Sequence, residues 1–212
     1  MPTSTGFSPG ILARKSLPVM AFYFVLSVSI FVPQLSSAQV SGQEIVLVLD
    51  PAQTKVNWNL DSSLHMVHGT FALKSGTVHF NPDTGKVGGE IVVLATSGQS
   101  DNNSRDKRMH KEILETAKYP EAIFRPQQIE GNVSRSGSSD VQLRGIMTLR
   151  GADHEITVPV HLELAGDRWN GTTTFPIPYI AWGIKDPSNW LLKAKSVVNV
   201  ELAMSGSEKT SD

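Results

Sequence analysis

Residues 101–126 read Asp-Asn-Asn-Ser-Arg-Asp-Lys-Arg-Met-His-Lys-Glu-Ile-Leu-Glu-Thr-Ala-Lys-Tyr-Pro-Glu-Ala-Ile-Phe-Arg-Pro. They hold the one convincing helix signal beyond the N-terminal region, in a chain that otherwise reads as strands. Turn and capping residues, Asp101 to Ser104, open the stretch, and straight-chain helix formers follow. Met109 and Ile113 stand four apart, on one face, and Arg108 and Glu112 form an i,i+4 pair of opposite charge. Pro120 lies past the stop and forces extended chain before it. A single charged helix set into an all-β chain leaves few architectures open.

Working outward, apolar residues recur with a period of two on both sides of the helix. Val56, Trp58 and Leu60 share one strand face, and Val67, Gly69, Phe71 and Leu73 share the next. Val78 and Phe80 follow, then the turn Asn81-Pro82-Asp83-Thr84-Gly85. The pattern resumes with Ile91 and Val93 after Gly88-Gly89, a pair that suggests a bulge or sharp bend. Further strands are predicted around Ile123–Ile129, Val141–Leu149, Ile156–Leu164, Thr172–Ala181 and Leu191–Met204. Turn-rich separators fall at Ser134–Ser139, Ala165–Asp167 and Lys185–Asn189. The total is about eight to ten strands at short spacing, which predicts a sandwich or a closed antiparallel barrel. Residues 39–44 and the tail from Ser205 read as solvated ends, leaving one domain over residues 45–205.

The N-terminus reads as an export signal. Arg14 and Lys15 precede an apolar run from Leu17 to Val32, and Ser36-Ser37-Ala38 supplies small residues where a signal peptidase requires them. Residues 1–38 are therefore expected to be cleaved. An uncleaved membrane anchor is the competing reading, but the apolar run is short for a span. The chain has no cysteine, so no disulfide supports it and its core alone must hold it together. Cleavage removes two cations and no acid, taking the formal charge from −1 to −3. Such a surface has no basic excess to attract nucleic acid. The expected location is the periplasm or the external medium.

The order of short motifs along the chain carries a resemblance. His68-Gly69-Thr70-Phe71 sits on an early strand, and Asn102-Asn103-Ser104-Arg105-Asp106 opens the helix. Lys118-Tyr119-Pro120 and Phe124 leave it, followed by Leu143-Arg144-Gly145-Ile146-Met147-Thr148-Leu149-Arg150-Gly151 and Pro159-Val160. Ala181-Trp182-Gly183-Ile184 precedes the last alternating strand. Over residues 46–205 this resembles the YceI-like family of periplasmic polyisoprenoid-binding proteins. The resemblance implies a lipocalin-like antiparallel β-barrel with one helical insertion. It also implies a long isoprenoid ligand, a polyprenyl phosphate or an isoprenoid quinone, lying in the barrel. The chain departs from the family pattern at Gln53-Thr54, Asp61-Ser62-Ser63, Lys74 and Ala181-Trp182-Gly183. These changes leave the expected fold intact and the cargo's identity open.

On that reading the tunnel lining is the large apolar set of the alternating faces: Trp58, Phe71, Phe80, Ile91, Phe124, Met147 and Phe175. The competing reading is that these side chains simply fill the barrel. Arg105 and Asp106 lie within the matched motif and are the candidates for fixing the helix to the rim or meeting a head group. Arg108 reads more simply as part of a solvated charged face. No metal site is expected. His65 and His68 are three apart on a strand, which points their rings to opposite faces, and no carboxylate completes a familiar spacing. Gly-x-Ser-x-Gly, His-Glu-x-x-His and Gly-x-Gly-x-x-Gly are all missing, so binding rather than catalysis is expected. The leading expectation is a lipid binder trading cargo with a membrane donor or acceptor. The alternatives are an interaction protein with a filled barrel and, less favoured, a lipid-acting enzyme. The sequence leaves the oligomeric state open, a homodimer included.

Overall fold

A computed structural model describes residues 44–210; the segment read as a signal peptide lies outside the described residues. Nine strands run in sequence: β1 (Ile45–Leu49), β2 (Lys55–Leu60), β3 (Val67–Phe80), β4 (Val87–Gln99), β5 (Glu121–Glu130), β6 (Gly137–Leu149), β7 (Ala152–Ala165), β8 (Arg168–Ile177) and β9 (Val198–Thr210). Between β4 and β5 stand helix α1 (Asn103–Arg108) and a π-helical turn (Met109–Ile113). From β3 to β9 each strand pairs antiparallel with the next, and β9 returns to β1 and β2.

Nine strands occupy eight places. β1 and β2 both lie between β3 and β9, end to end. β1 faces Thr77–Phe80, and β2 faces Val67–Phe71. Pro51 cannot donate to a ladder, and Asp50 caps the jog there: its carboxylate accepts from the Ala52 amide at 2.8 Å and its carbonyl from the Thr54 amide at 2.9 Å. The result is a closed up-and-down barrel in which every strand has a neighbour on each side. Closure removes most of the exposed sheet edge that could template aggregation, the stretch of β7 and β8 beyond His161↔Thr172 being left without a ladder.

Inward and outward residues alternate as the pleat requires. On β8, Trp169, Gly171, Thr173, Phe175 and Ile177 are buried, while Arg168, Asn170, Thr172 and Thr174 are exposed. The outer face of β7 carries Asp153, Glu155, Thr157 and Glu163. The barrel wall therefore faces water, and the apolar surface is turned inward. On β3 the inward set changes parity, from Val67 and Leu73 to Gly76, Val78 and Phe80. The register with β4 slips between Leu73 and Ser75, so the bulge keeps both halves of a long strand facing the interior.

Several boundaries differ from the sequence reading. β1 lies outside the strands the alternation predicts, because its Ile-Val-Leu-Val-Leu run shows no polar alternation. Pro178–Ala181 is turn rather than strand, and the chain stays irregular to Val197 before β9 begins. The tail from Ser205 is not a solvated end. It continues β9 to Thr210 and pairs with β1, from Gly206↔Leu49 to Thr210↔Ile45. Gly88-Gly89 marks no bulge, since the register runs unbroken from His79↔Gly88 to Thr77↔Glu90. The pair serves close approach instead: Gly89 has φ +103°, and a Cβ there would lie 2.1 Å from the Thr77 carbonyl oxygen.

The two ends of the barrel are unlike. At one end, short turns join β3 to β4, β5 to β6 and β7 to β8. At the other end gather the β2–β3 loop, the helical insertion and the 20-residue β8–β9 connection, residues 178–197. The β7–β8 ladder also stops at His161↔Thr172, short of this end. Pro159 and Pro176, neither of which has an amide proton, lie just beyond that point. The β8–β9 connection meets β7 there, with Trp182 stacked on His154 at 4.1 Å between ring centroids.

Candidate apolar tunnel and its mouth

A cavity of about 570 Å³ runs through the barrel. Its floor, at the short-turn end, is made by Val141, Leu162 and Trp169, and its mouth, at the loop end, by Ser62, His65, Ser104, Arg108, Pro187 and Asn189. The size falls within the range of about 300–1,000 Å³ typical of ligand-binding clefts. All seven residues expected to line a tunnel lie on this cavity: Trp58, Phe71, Phe80, Ile91, Phe124, Met147 and Phe175. The barrel is thus hollow rather than packed solid along its axis.

The walls are almost wholly apolar. Three polar groups in them, the indole nitrogens of Trp58 and Trp169 and the Thr173 hydroxyl, are buried with no hydrogen-bond partner among the described protein atoms. Each is neutral. Charged side chains on the cavity appear only at the mouth, as Arg105 and Arg108. The interior chemistry therefore favours a hydrocarbon body, with any charge held at the rim.

The helical insertion forms one side of that rim. Asn102 caps α1, its side-chain oxygen accepting from the Arg105 amide at 2.9 Å. Arg105 donates through Nε to Ser100 Oγ at 2.7 Å and through Nη2 to the Ser100 carbonyl, while Asp106 accepts from the same hydroxyl. Arg105 reaches the cavity wall; Asp106 does not. His110 of the π-helical turn spans to β4, its Nε2 donating to the Gly98 carbonyl at 2.8 Å. Met109 and Ile113 face into the cavity from this anchored segment.

Arg108 forms the expected pair with Glu112, at 3.8 Å, but it also donates to the Pro187 carbonyl at 2.8 Å. Glu112 is held below the usual carboxylate range, chiefly by its 2.7 Å bond to Lys185. Arg150 completes the link, binding Glu115 at 2.7 Å and the Gly183 carbonyl at 3.3 Å. The insertion is thereby tied to the β8–β9 connection, and this connection is tied in turn to the β2–β3 loop. The Ser63 amide donates to Lys193 O and the Lys195 amide to Asp61 O, each at 2.8 Å. The mouth is a laced ring of three loops.

Sequence reasoning missed Trp169, Thr173, Tyr179 and Ile184, all on the cavity. The signal for the first two was present. Trp169, Gly171, Thr173 and Phe175 alternate strictly, but a strand begun at Thr172 leaves out Trp169, and a lining set of large apolar residues leaves out Thr173. Tyr179 continues the inward parity of Phe175 and Ile177 but lies on a turn, and Ile184 lies just past that turn, outside any period-two pattern. Among the described residues no group of three or more His, Asp or Glu side chains is arranged to hold a metal ion.

The architecture has solved counterparts. The fold resembles BcnA of Burkholderia cenocepacia, at 17% identity and a TM-score of 0.61, covering 74% of this chain and 99% of that one. It resembles a polyisoprenoid binding domain from Saccharophagus degradans implicated in plant cell wall breakdown, at 15% identity and a TM-score of 0.59, covering 78% and 98%. It also resembles the YCEI protein of Campylobacter jejuni, at 15% identity and a TM-score of 0.56, covering 69% and 88%. No curated protein sequence matches the chain. The model of the YceI-like domain matches residues 47–205, nearly the whole of the barrel, and the chain belongs to that family.

Proposed function

We propose that the protein is an exported lipid binder that holds or carries a long isoprenoid, tail inward, in the barrel cavity. The observation that carries this reading is the continuous apolar cavity, charged only at its mouth. The Saccharophagus degradans neighbour, a polyisoprenoid binding domain by its description, supports the same ligand class. The N-terminal pattern of basic start, apolar run and small-residue site supports export to the periplasm or medium.

The energetics fit a chain-like cargo. Each buried methylene contributes roughly 0.8 kcal/mol. A few isoprene units therefore outweigh the roughly 4–15 kcal/mol lost on association. A head group adds orientation more than affinity. A neutral quinone fits the walls as well as the mouth. A phosphate is accommodated at the mouth, beside Arg108, whose partly exposed side chain keeps donors to spare beyond Pro187 and Glu112, whereas Ser100 engages Arg105 twice.

Organic extraction of protein purified from its native compartment, followed by mass spectrometry, tests the proposal. Stoichiometric isoprenoid supports it. A clean extract, together with equal affinity for short and long isoprenoids in a titration, overturns it in favour of a barrel that acts through its outer surface.

A further inference from the structure

Four large apolar side chains among the described residues are exposed: Leu64 (63%), Met66 (47%), Trp190 (89%) and Leu191 (60%). All four lie on two loops at the cavity mouth, and none lies on the barrel wall or at the short-turn end. Each loop is a tight turn that pushes its apolar residues outward. Asn189 Oδ1 accepts from the Leu191 and Leu192 amides at 2.9 and 2.8 Å, which puts Trp190 and Leu191 at a tip. Ser62 Oγ accepts from the Leu64 and His65 amides at 3.4 and 3.3 Å, which puts Leu64 at a second tip. The backbone bonds between Ser63 and Lys193 and between Asp61 and Lys195 hold the tips side by side.

We propose that this rim is a membrane-docking surface, with the lipid bilayer as its partner. Continuity with the cavity selects that partner, because Ser62, His65, Asn189, Leu192 and Ala194 of these same loops line the mouth. A tail leaving the cavity would pass directly between the exposed tips. The side-chain chemistry agrees. Tryptophan and leucine are favoured at a membrane interface, and Lys193 and Lys195 follow them on the same loop, with long side chains that can reach head groups. The lysines of the two loops, with Lys185, barely outnumber Asp61 and Asp186, so docking depends on apolar insertion rather than on anionic lipid. The polar barrel wall stays in water, and only the rim enters. The inference extends the carrier reading but has its own readout.

The test is flotation of the protein, processed by an exporting host, with phosphatidylcholine vesicles, with and without about one-fifth phosphatidylglycerol. The wild type is expected to float with both, with little change between about 0.1 and 0.5 M salt. Trp190→Ser combined with Leu191→Ser is expected to weaken partitioning at least about tenfold, and Leu64→Ser alone several-fold. These residues are exposed, so thermal stability is expected to be unchanged. Uptake of an isoprenoid from ethanol solution, without vesicles, is expected to match wild type. A wild type that stays unbound, or a double variant that floats equally well, overturns the proposal. So does a wild-type dimer that the double variant converts to monomers, since the patch is then a subunit interface. Failure of isoprenoid uptake with vesicle binding intact overturns the carrier reading and leaves the docking surface standing.

Discussion

Trp58 and Gly69 face each other directly across β2 and β3, and the indole occupies the space a side chain at Gly69 would need. A Cβ at Gly69 would lie 2.3 Å from Trp58 Cε2 and Cζ2, and 2.4 Å from the Gln99 carbonyl oxygen. Trp169 and Gly206 repeat the arrangement across β8 and β9, with Trp169 Nε1 only 2.7 Å from the position of a Cβ. Each large ring thus occupies the space over a glycine of the paired strand. Two bulky rings face inward without filling the barrel. Gly69→Ala is expected to lift the Trp58 ring into the cavity and destabilise the protein by about 1–3 kcal/mol. For a domain of this size that corresponds to a melting point lower by roughly 3–10 °C. Calorimetry reads it, and combining Gly69→Ala with Trp58→Phe is expected to cost less than the sum of the two. Strict additivity would refute the coupling.

The hollow can be closed from within. Val158 is buried midway along β7, opposite Leu143, and lies on the cavity. Val158→Phe places a ring across the axis where there is room for it, so the fold is expected to hold. Affinity for a long isoprenoid is expected to fall at least tenfold, about 1.4 kcal/mol. Titration with a fluorescent isoprenoid measures it. Undiminished binding with an unchanged circular dichroism spectrum would place the ligand outside the barrel.

The architecture was legible in the chain because a barrel wall imposes the simplest of patterns. Every second residue of Val56–Leu60, Ile156–Leu164 and Thr173–Ile177 faces inward, and a period of two survives in the sequence. The same regularity put all seven expected lining residues on the cavity. β1 was illegible for the opposite reason: Ile45–Leu49 is apolar throughout, and its partly buried positions are as greasy as its buried ones. The mouth was illegible because it rests on contacts between segments far apart in sequence. Nothing local links Arg108 to Pro187 or Arg150 to Glu115. Arg108 read as one half of a surface ion pair, which it is, and its second partner lies 79 residues away.

That second partner sets up a head-group test. Arg108→Gln is expected to lower affinity for a prenyl phosphate about three- to tenfold and to leave an isoprenoid quinone unaffected. Both are measured by competition against one fluorescent ligand. Raising ionic strength is expected to reproduce the phosphate effect in the wild type, because the site is open to solvent. Equal losses for both ligands would mean that the substitution opens the rim rather than removing a charge contact.

Tyr179 links the loop end to alkaline stability. Its hydroxyl donates to the Lys195 carbonyl at 2.7 Å, and burial, with Asp186 nearby, pushes its pKa up to about 12 from an ordinary value of 10. The folded state therefore favours the neutral phenol. The stabilisation is fully present below pH 10 and is lost as pH rises through 10 toward 12. Tyr179→Phe is expected to cost about 1 kcal/mol near neutral pH by removing the hydrogen bond. It is also expected to flatten the decline in stability over that alkaline window. Urea denaturation at a series of pH values checks both, and an unchanged alkaline slope would assign the decline to other groups.

Thr173 separates a cargo that is pure tail from one that carries oxygen into the barrel. Its side chain is inward-facing between Gly171 and Phe175 on the cavity wall, and its buried hydroxyl meets no acceptor or donor among the described protein atoms. Thr173→Val keeps the shape and removes a polar group whose burial without a partner costs roughly 1–3 kcal/mol. The ligand-free variant is therefore expected to be the more stable, by an amount readable in urea. An isoprenoid quinone entering head-first has carbonyl oxygens for this hydroxyl once it turns toward the ligand. For such a ligand Thr173→Val is expected to lower affinity about five- to tenfold, one hydrogen bond's worth. A prenyl phosphate held tail-first presents only methyl and methylene groups there, and its affinity is expected to hold or improve. Measuring both ligands on the one variant fixes the direction in which the cargo lies, and a quinone that binds the variant as well as the wild type rules out head-first entry.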